Sequence, residues 1–136
     1  MIKLMRDVAE FHSATGSHVA PYPQVPEDDL KKLRVNLVME ETREAVASIE
    51  KGSLPQIAKE LCDLMYVVMG TALSCGLNLE PVWDEVHKNN MSKVGGEKRK
   101  DGKILKPANY KEVNVKPLID DQIMTGILRA KNAASE

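Results

Sequence analysis

Aromatic side chains are scarce: Phe, Trp and Tyr together make up 4% of the 136 residues. A core must then come from Leu, Val, Ile, Met and Ala, which suit helix packing. Cysteine is nearly absent, with only Cys62 and Cys75. Both fall in one predicted helix, ~20 Å apart along its axis. That is too far for a bond within one chain. They are expected to be buried free thiols in a reducing compartment. No charge of one sign dominates; a formal net charge of −1 gives no field that favours nucleic acid or an anionic membrane. Long apolar runs are missing as well. The longest, residues 64–73, is about half a membrane span. The start, MIKLMRDVAE, is charged within its first three residues and carries no signal-peptide pattern, so a cytoplasmic location is expected. There is no GxxxxGK[ST] phosphate loop and no Ser-His-Asp or Cys-His nucleophile pattern.

What remains is periodic and punctuated. Residues 2–15 predict a short amphipathic helix with Leu4, Met5, Val8 and Phe11 on one stripe, His12 at its edge and Gly16 as its stop. Residues 16–26, GSHVAPYPQVP, predict an extended loop holding Tyr22 between prolines. Residues 27–51 predict a long second helix, and GSLP at 52–55 ends it and starts a third. The third runs to Gly76 and is apolar on most sides, the mark of a bundle centre or a subunit interface. Asn78 caps a fourth helix, whose Val82, Trp83, Val86 and Met91 are expected to pack inward; Gly95 and Gly96 break it. Asp101-Gly102 signals a tight turn in a small hairpin or loop. Residues 116–131 predict a last helix. The expected fold is one all-α domain over 1–136, an antiparallel helical bundle with its catalytic core at about 27–106.

The chemistry concentrates between Leu37 and Asp63. Glu40, Glu41 and Glu44 fall on one side of the second helix, and Glu60 and Asp63 share a face of the third. The short turn at 52–55 makes the two helices antiparallel neighbours. Glu44 and Glu60 lie at nearly equal distances from it, and so do Glu41 and Asp63. If the faces match, these four carboxylates converge with no Lys or Arg on the stripe. Like charges that close repel and raise one another's pKa. A hard divalent cation resolves the conflict, and an all-oxygen donor set suits magnesium or manganese. A solvated face of Glu would explain the first cluster alone. Glu60 and Asp63, however, sit inside the most apolar run of the chain, where acids need a partner or a metal.

From Lys88 to Lys106 there are seven basic residues against two acidic ones. This is either solvated surface or an arm that grips phosphate oxygens. An acidic metal cluster beside such an arm suggests a phosphate substrate. Asp84-x-x-His87 also prompts a di-iron carboxylate bundle, but such a bundle needs two acid-x-x-His copies and only this approximate one is present.

The pattern Glu40-Glu41-Thr-Arg-Glu44 followed by Glu60-Leu-Cys-Asp63 resembles the all-α nucleoside triphosphate pyrophosphohydrolase superfamily, which includes MazG-like proteins, dimeric dUTPases and phosphoribosyl-ATP pyrophosphohydrolases. EFHxxxG at 10–16, NxSK at 90–93 and GKxxKP at 102–107 are similar to its MazG-like branch, so the likeness covers about residues 8–110. The resemblance implies cleavage of a nucleoside triphosphate between its α- and β-phosphates, with dUTP or non-canonical nucleotides in scope. It also implies metal binding by Glu41, Glu44, Glu60 and Asp63 and a water oriented or activated by Glu40. Substrate contacts are implied at Asn90 and Lys93, at Lys103 and Lys106 for the distal phosphates, and at Asn36 for sugar or base. Mg²⁺ is the implied cofactor, with Mn²⁺ as a substitute. The implied assembly is a homodimer or dimer of dimers that completes the bundle. Phe11, Tyr66 and Trp83 are the candidate stacking partners for a base. A non-catalytic nucleotide-binding member is the competing reading.

Overall fold

The protein is described by a computed structural model covering residues 2–135. It consists of α1 (Lys3–Thr15), α2 (Asp28–Lys51), α3 (Leu54–Ser74), α4 (Leu79–Met91) and α5 (Lys116–Ala133). No strand occurs among the described residues. The basic segment makes a hairpin-like turn closed by one antiparallel bridge, Lys98 to Ile104, with Gly102 at φ 90°. The all-α expectation holds, and each helix lies where the punctuation places it.

The turn between α2 and α3 sets the rest. Asp28 and Asp29 open α2 and Lys51 closes it, each charge opposing the helix dipole's end charge. The Gly52 N–H donates to the Ser48 carbonyl at 2.7 Å. A Cβ on Gly52 would stand 2.6 Å from that same oxygen, so a side chain does not fit there. Ser53 then starts α3, its N–H donating to Gln56 Oε1 at 2.8 Å, with Pro55 in the first turn. The two helices fold back on each other in the most extensive pairing of the structure, and α1 packs on α3 next.

The loop at 16–26 is a strap. Ala20 N–H donates to the Leu73 carbonyl at 3.0 Å and Gln24 N–H to the Cys75 carbonyl at 2.9 Å. These bonds satisfy carbonyls at the end of α3. Gly76 turns the chain at φ 71°, directly beneath Tyr22, whose carbonyl oxygen lies 2.2 Å from where a Cβ would be. Tyr22 also covers Gly126 of α5. Asn78 accepts from Glu80 N–H at 3.2 Å, as a cap should. Gln122 of α5 clamps the Asn78 backbone, accepting its N–H at 2.8 Å and donating to its carbonyl at 3.0 Å.

The buried apolar cluster is small: Met5, Val8, Ala72 and Leu73, with Ile2, Ala9, Met69, Leu77 and Leu79 against it. Much apolar surface stays open, including Leu54, Val35, Ile49 and Trp83, the last 70% exposed. Two expectations change here. Trp83 and Met91 do not pack inward within the chain; α4 buries no residue and pairs extensively with no other helix among the described residues. Cys62 is exposed and Cys75 half-buried, because α3 is apolar on more sides than α1 and α2 cover. No single helix among the described residues is long and apolar enough to cross a membrane.

Candidate metal centre on the second and third helices

The antiparallel pairing brings acids of both helices together. One carboxylate oxygen each from Glu41, Glu60 and Asp63 lie within 4.8 Å of one another. Glu44 stands beside them, lining with Glu60 a cavity of about 350 Å³ that also takes in Ser48, Lys51 and Gln56. The level matching counted from the turn holds for Glu41 and Asp63, which meet in the cluster, while Glu44 and Glu60 line one cavity. Glu40 is exposed at the rim. Its charge still reaches Glu41, whose carboxyl is pushed above the ordinary glutamate range by burial first, then by Glu44, Asp63, Glu40 and Glu60.

Two oxygens of the cluster, Glu41 Oε2 and Glu60 Oε2, are buried with no hydrogen-bond partner. A buried carboxylate oxygen without a donor is costly. Lone pairs that converge without protons are what a hard, oxygen-preferring divalent cation requires. The donor set therefore fits such a cation, with Glu41, Glu60 and Asp63 as its nearest ligands and Glu44 in reach.

Lys59 changes one expectation. The sequence places no Lys or Arg on the stripe, yet Lys59 Nζ lies 3.0 Å from Glu60 Oε1 and 2.7 Å from an Asp63 oxygen. Its ammonium is held above the ordinary lysine range by hydrogen bonds to Asp63 and Glu60. Its backbone position is off the stripe, but its long stem reaches the acid four residues on.

None of the remaining substrate candidates lines the cavity beside the acids. Asn36 is exposed on α2, one turn before Glu40. Lys93 donates to Asn90 Oδ1 at 2.7 Å across the end of α4. The structure adds Tyr110, which sequence reasoning missed. Lys93 Nζ and Lys106 Nζ flank its ring at 5.4 and 4.9 Å from the centroid. Its hydroxyl donates to Asn89 Oδ1 at 2.6 Å. Lys106 also pairs with Glu112 at 2.5 Å. Tyr110 thus gathers two of the lysines implied to contact substrate, Lys93 and Lys106, whereas Lys103 stays exposed on the turn. The cavity beside the acids is lined by α2, α3 and their turn, and no residue of the arm is in its lining. Of the aromatic candidates, Phe11 and Tyr66 meet edge to face at 5.6 Å between ring centroids, while Trp83 stands alone on α4.

The sequence model describing phosphoribosyl-ATP pyrophosphohydrolase matches residues 8–90. That span holds most of α1, the strap, both acidic helices and α4 through Asn90. No curated protein matches the chain. With more than half of the chain matched, and with the acids of two antiparallel helices drawn into one oxygen-rich centre, the protein belongs to the phosphoribosyl-ATP pyrophosphohydrolase family, all-α hydrolases of the MazG-like superfamily that act on nucleotide-related pyrophosphates.

Proposed function

We propose that this chain hydrolyses nucleoside triphosphates between the α- and β-phosphates, releasing a monophosphate and pyrophosphate, with Mg²⁺ as the metal and Mn²⁺ as a substitute. The observation that carries this reading is the meeting of Glu41, Glu60 and Asp63, with two buried carboxylate oxygens left without donors. A bound divalent ion would supply charge neutralisation and polarisation at the phosphate oxygens. Glu41, Glu44, Glu60 and Asp63 would hold it. Glu40, exposed at the rim, would orient a water toward the α-phosphorus and take its proton. The water oxygen bonds to phosphorus as the bond to the bridging oxygen breaks, and pyrophosphate leaves with that oxygen. Lys93 and Lys106, gathered by Tyr110, would neutralise the outer phosphates, assisted by Lys103 and Asn90. Asn36 would meet the sugar or base.

No residue of the cationic arm lines the cavity beside the acids. A second copy that carries its arm toward these acids would complete the site, and it would cover the exposed apolar residues of α2, α3 and α4. A homodimer is therefore part of the proposal. Phosphoribosyl-ATP is a second candidate substrate on the strength of the family match, since it carries the same α,β-phosphoanhydride.

The experiment is a panel of dNTPs, NTPs, dUTP and phosphoribosyl-ATP, incubated with Mg²⁺ or Mn²⁺ and followed by pyrophosphate release. Turnover of at least one triphosphate, abolished by chelation, is expected. Tight nucleotide binding with no release of pyrophosphate from any member would overturn the hydrolase reading in favour of a binding protein.

A further inference from the structure

Arg34 is a buried cation among the described residues. It is 8% exposed, and its Nε is buried without a hydrogen-bond partner. A guanidinium carries five donors and no acceptor, so a buried one requires acceptors from somewhere. It lies on the same apolar stripe of α2 as Leu30, Leu33 and Leu37, where a charge has no structural advantage over another Leu.

Space has been made for it. Gly70 is buried in the interior of α3, where glycine disfavours helix by about 1 kcal/mol relative to alanine. A Cβ at that position would stand 2.7 Å from Arg34 Nη2 and 3.0 Å from His12 Nε2. Two polar heads from two different helices therefore share the gap that one missing methyl leaves. His12 is buried, and its Nδ1 lies 3.2 Å from the His18 carbonyl. A carbonyl only accepts, so Nδ1 carries the proton. Burial keeps the ring's pKa below the ordinary histidine range, with the Arg34 charge acting in the same direction. In the neutral ring Nε2 is then an acceptor. Arg34 offers donors beside it.

These groups line a cavity of about 290 Å³ together with Phe11, Leu37, Tyr66 and Ser74. Its position relative to the acids is fixed by the helices. Leu37 is one turn from Glu40 and Glu41, and Tyr66 is one turn from Asp63, about 5 Å along each axis. A flat group held here would lie next to whatever phosphate the acids manage.

We propose that this cavity is the base subsite, and that Arg34 and His12 select a base presenting an oxo group beside a ring N–H. This rests on the nucleotide reading above and deepens it. Arg34 donates to the oxo oxygen, and His12 Nε2 accepts the ring N–H. Uracil, thymine, guanine and hypoxanthine present that edge. Cytosine and adenine present its inverse, an amino donor beside a ring acceptor, which sets donor against donor at Arg34 and acceptor against acceptor at His12. The Phe11 and Tyr66 rings supply the apolar flank.

The test is calorimetric titration of the full chain with dUMP, dGMP, dCMP and dAMP, which are not cleaved. It is paired with pyrophosphate release from the matching triphosphates. Wild type should bind dUMP or dGMP about tenfold to a hundredfold more tightly than dCMP and dAMP. Arg34→Met should erase the gap. Gly70→Ala, which favours the helix but pushes the two polar heads away, should narrow it with the fold intact by circular dichroism. Equal affinity of wild type for all four bases overturns the proposal, as does a gap that survives both variants. If Arg34→Met halves the sedimenting mass while the gap remains, the acceptor for Arg34 is a carboxylate of a second copy and the base subsite falls. A gap in binding without pyrophosphate release overturns the hydrolase and leaves the subsite standing; release without any gap does the reverse.

Discussion

Replacing Glu41 by Gln separates the metal-centre reading from a merely acidic surface, because the two give opposite signs. The oxygens of Glu41, Glu60 and Asp63 lie within 4.8 Å of one another. Two unit charges at that spacing repel by about 1 kcal/mol under water-like screening and about 3.5 kcal/mol at an effective dielectric of 20, and partial exposure places the real value toward the lower end. Glu41→Gln removes one of these charges and gives Glu60 and Asp63 an amide donor. The metal-free variant should therefore be more stable than wild type. A gain of about 1 kcal/mol corresponds to roughly 4 °C in Tm for a chain of this size. With Mg²⁺ or Mn²⁺ the order reverses. At a metal concentration about a hundred times its Kd, wild type should gain about 2.7 kcal/mol, on the order of 10 °C, and Glu41→Gln should gain almost nothing. Thermal unfolding with and without metal, beside pyrophosphate release, reads all three quantities. If Glu41→Gln lowers the metal-free Tm, or if metal stabilises both proteins equally, the cluster is not a metal site and the mechanism built on it fails.

The other predictions are narrower. Lys59 occupies the cluster as an internal counter-ion, so Lys59→Met should tighten metal binding several-fold and lower the metal-free Tm slightly; weaker metal binding by titration would contradict this. The raised Glu41 pKa means that the folded protein binds more protons than the unfolded chain between the ordinary value of 4.5 and the folded value. Metal-free stability should consequently fall as pH rises through that window, metal affinity should rise with pH over the same range, and Glu41→Gln should flatten both profiles. Tyr110→Leu should raise KM for a triphosphate about fivefold with a smaller change in kcat, since two cation–π contacts position Lys93 and Lys106; an unchanged KM would remove Tyr110 from the phosphate arm. Sedimentation should give twice the chain mass of 15.1 kDa, and a monomer at micromolar concentration would refute the dimer.

Much of the fold was legible because its boundaries are written in residues with few conformational options. Gly16, Gly52-Ser53, Pro55, Gly76 and Asn78 act locally, so a one-dimensional reading finds them. The convergence of Glu41 with Asp63, and the placing of Glu44 and Glu60 on one cavity, was legible for the same reason, since a short turn between straight rods leaves only one register. What escaped depends on long side chains and on apolar faces that the chain's own helices leave open. Lys59 reaches the acids through its flexible stem, which face counting ignores. Trp83 and Met91 carry the apolar signature of packed residues, but periodicity cannot tell whether anything in the chain covers them, and none of the described residues buries them. Arg34 left a trace, a cation inside the stripe of Leu30, Leu33 and Leu37, yet only the coordinates expose its missing partner. Tyr110 lies beyond the matched span in an irregular segment, where no repeat announces a contact.

The tight seat of Gly52 against Ser48 carries a consequence for descent. Glu60 and Asp63 are aimed by a rod whose angular setting is fixed at that corner. One residue added between Ser53 and Glu60 would swing both acids by about 100° around the rod, away from Glu41 and Glu44. Relatives of this chain should thus tolerate many replacements in the 53–60 segment and hardly any change in its length.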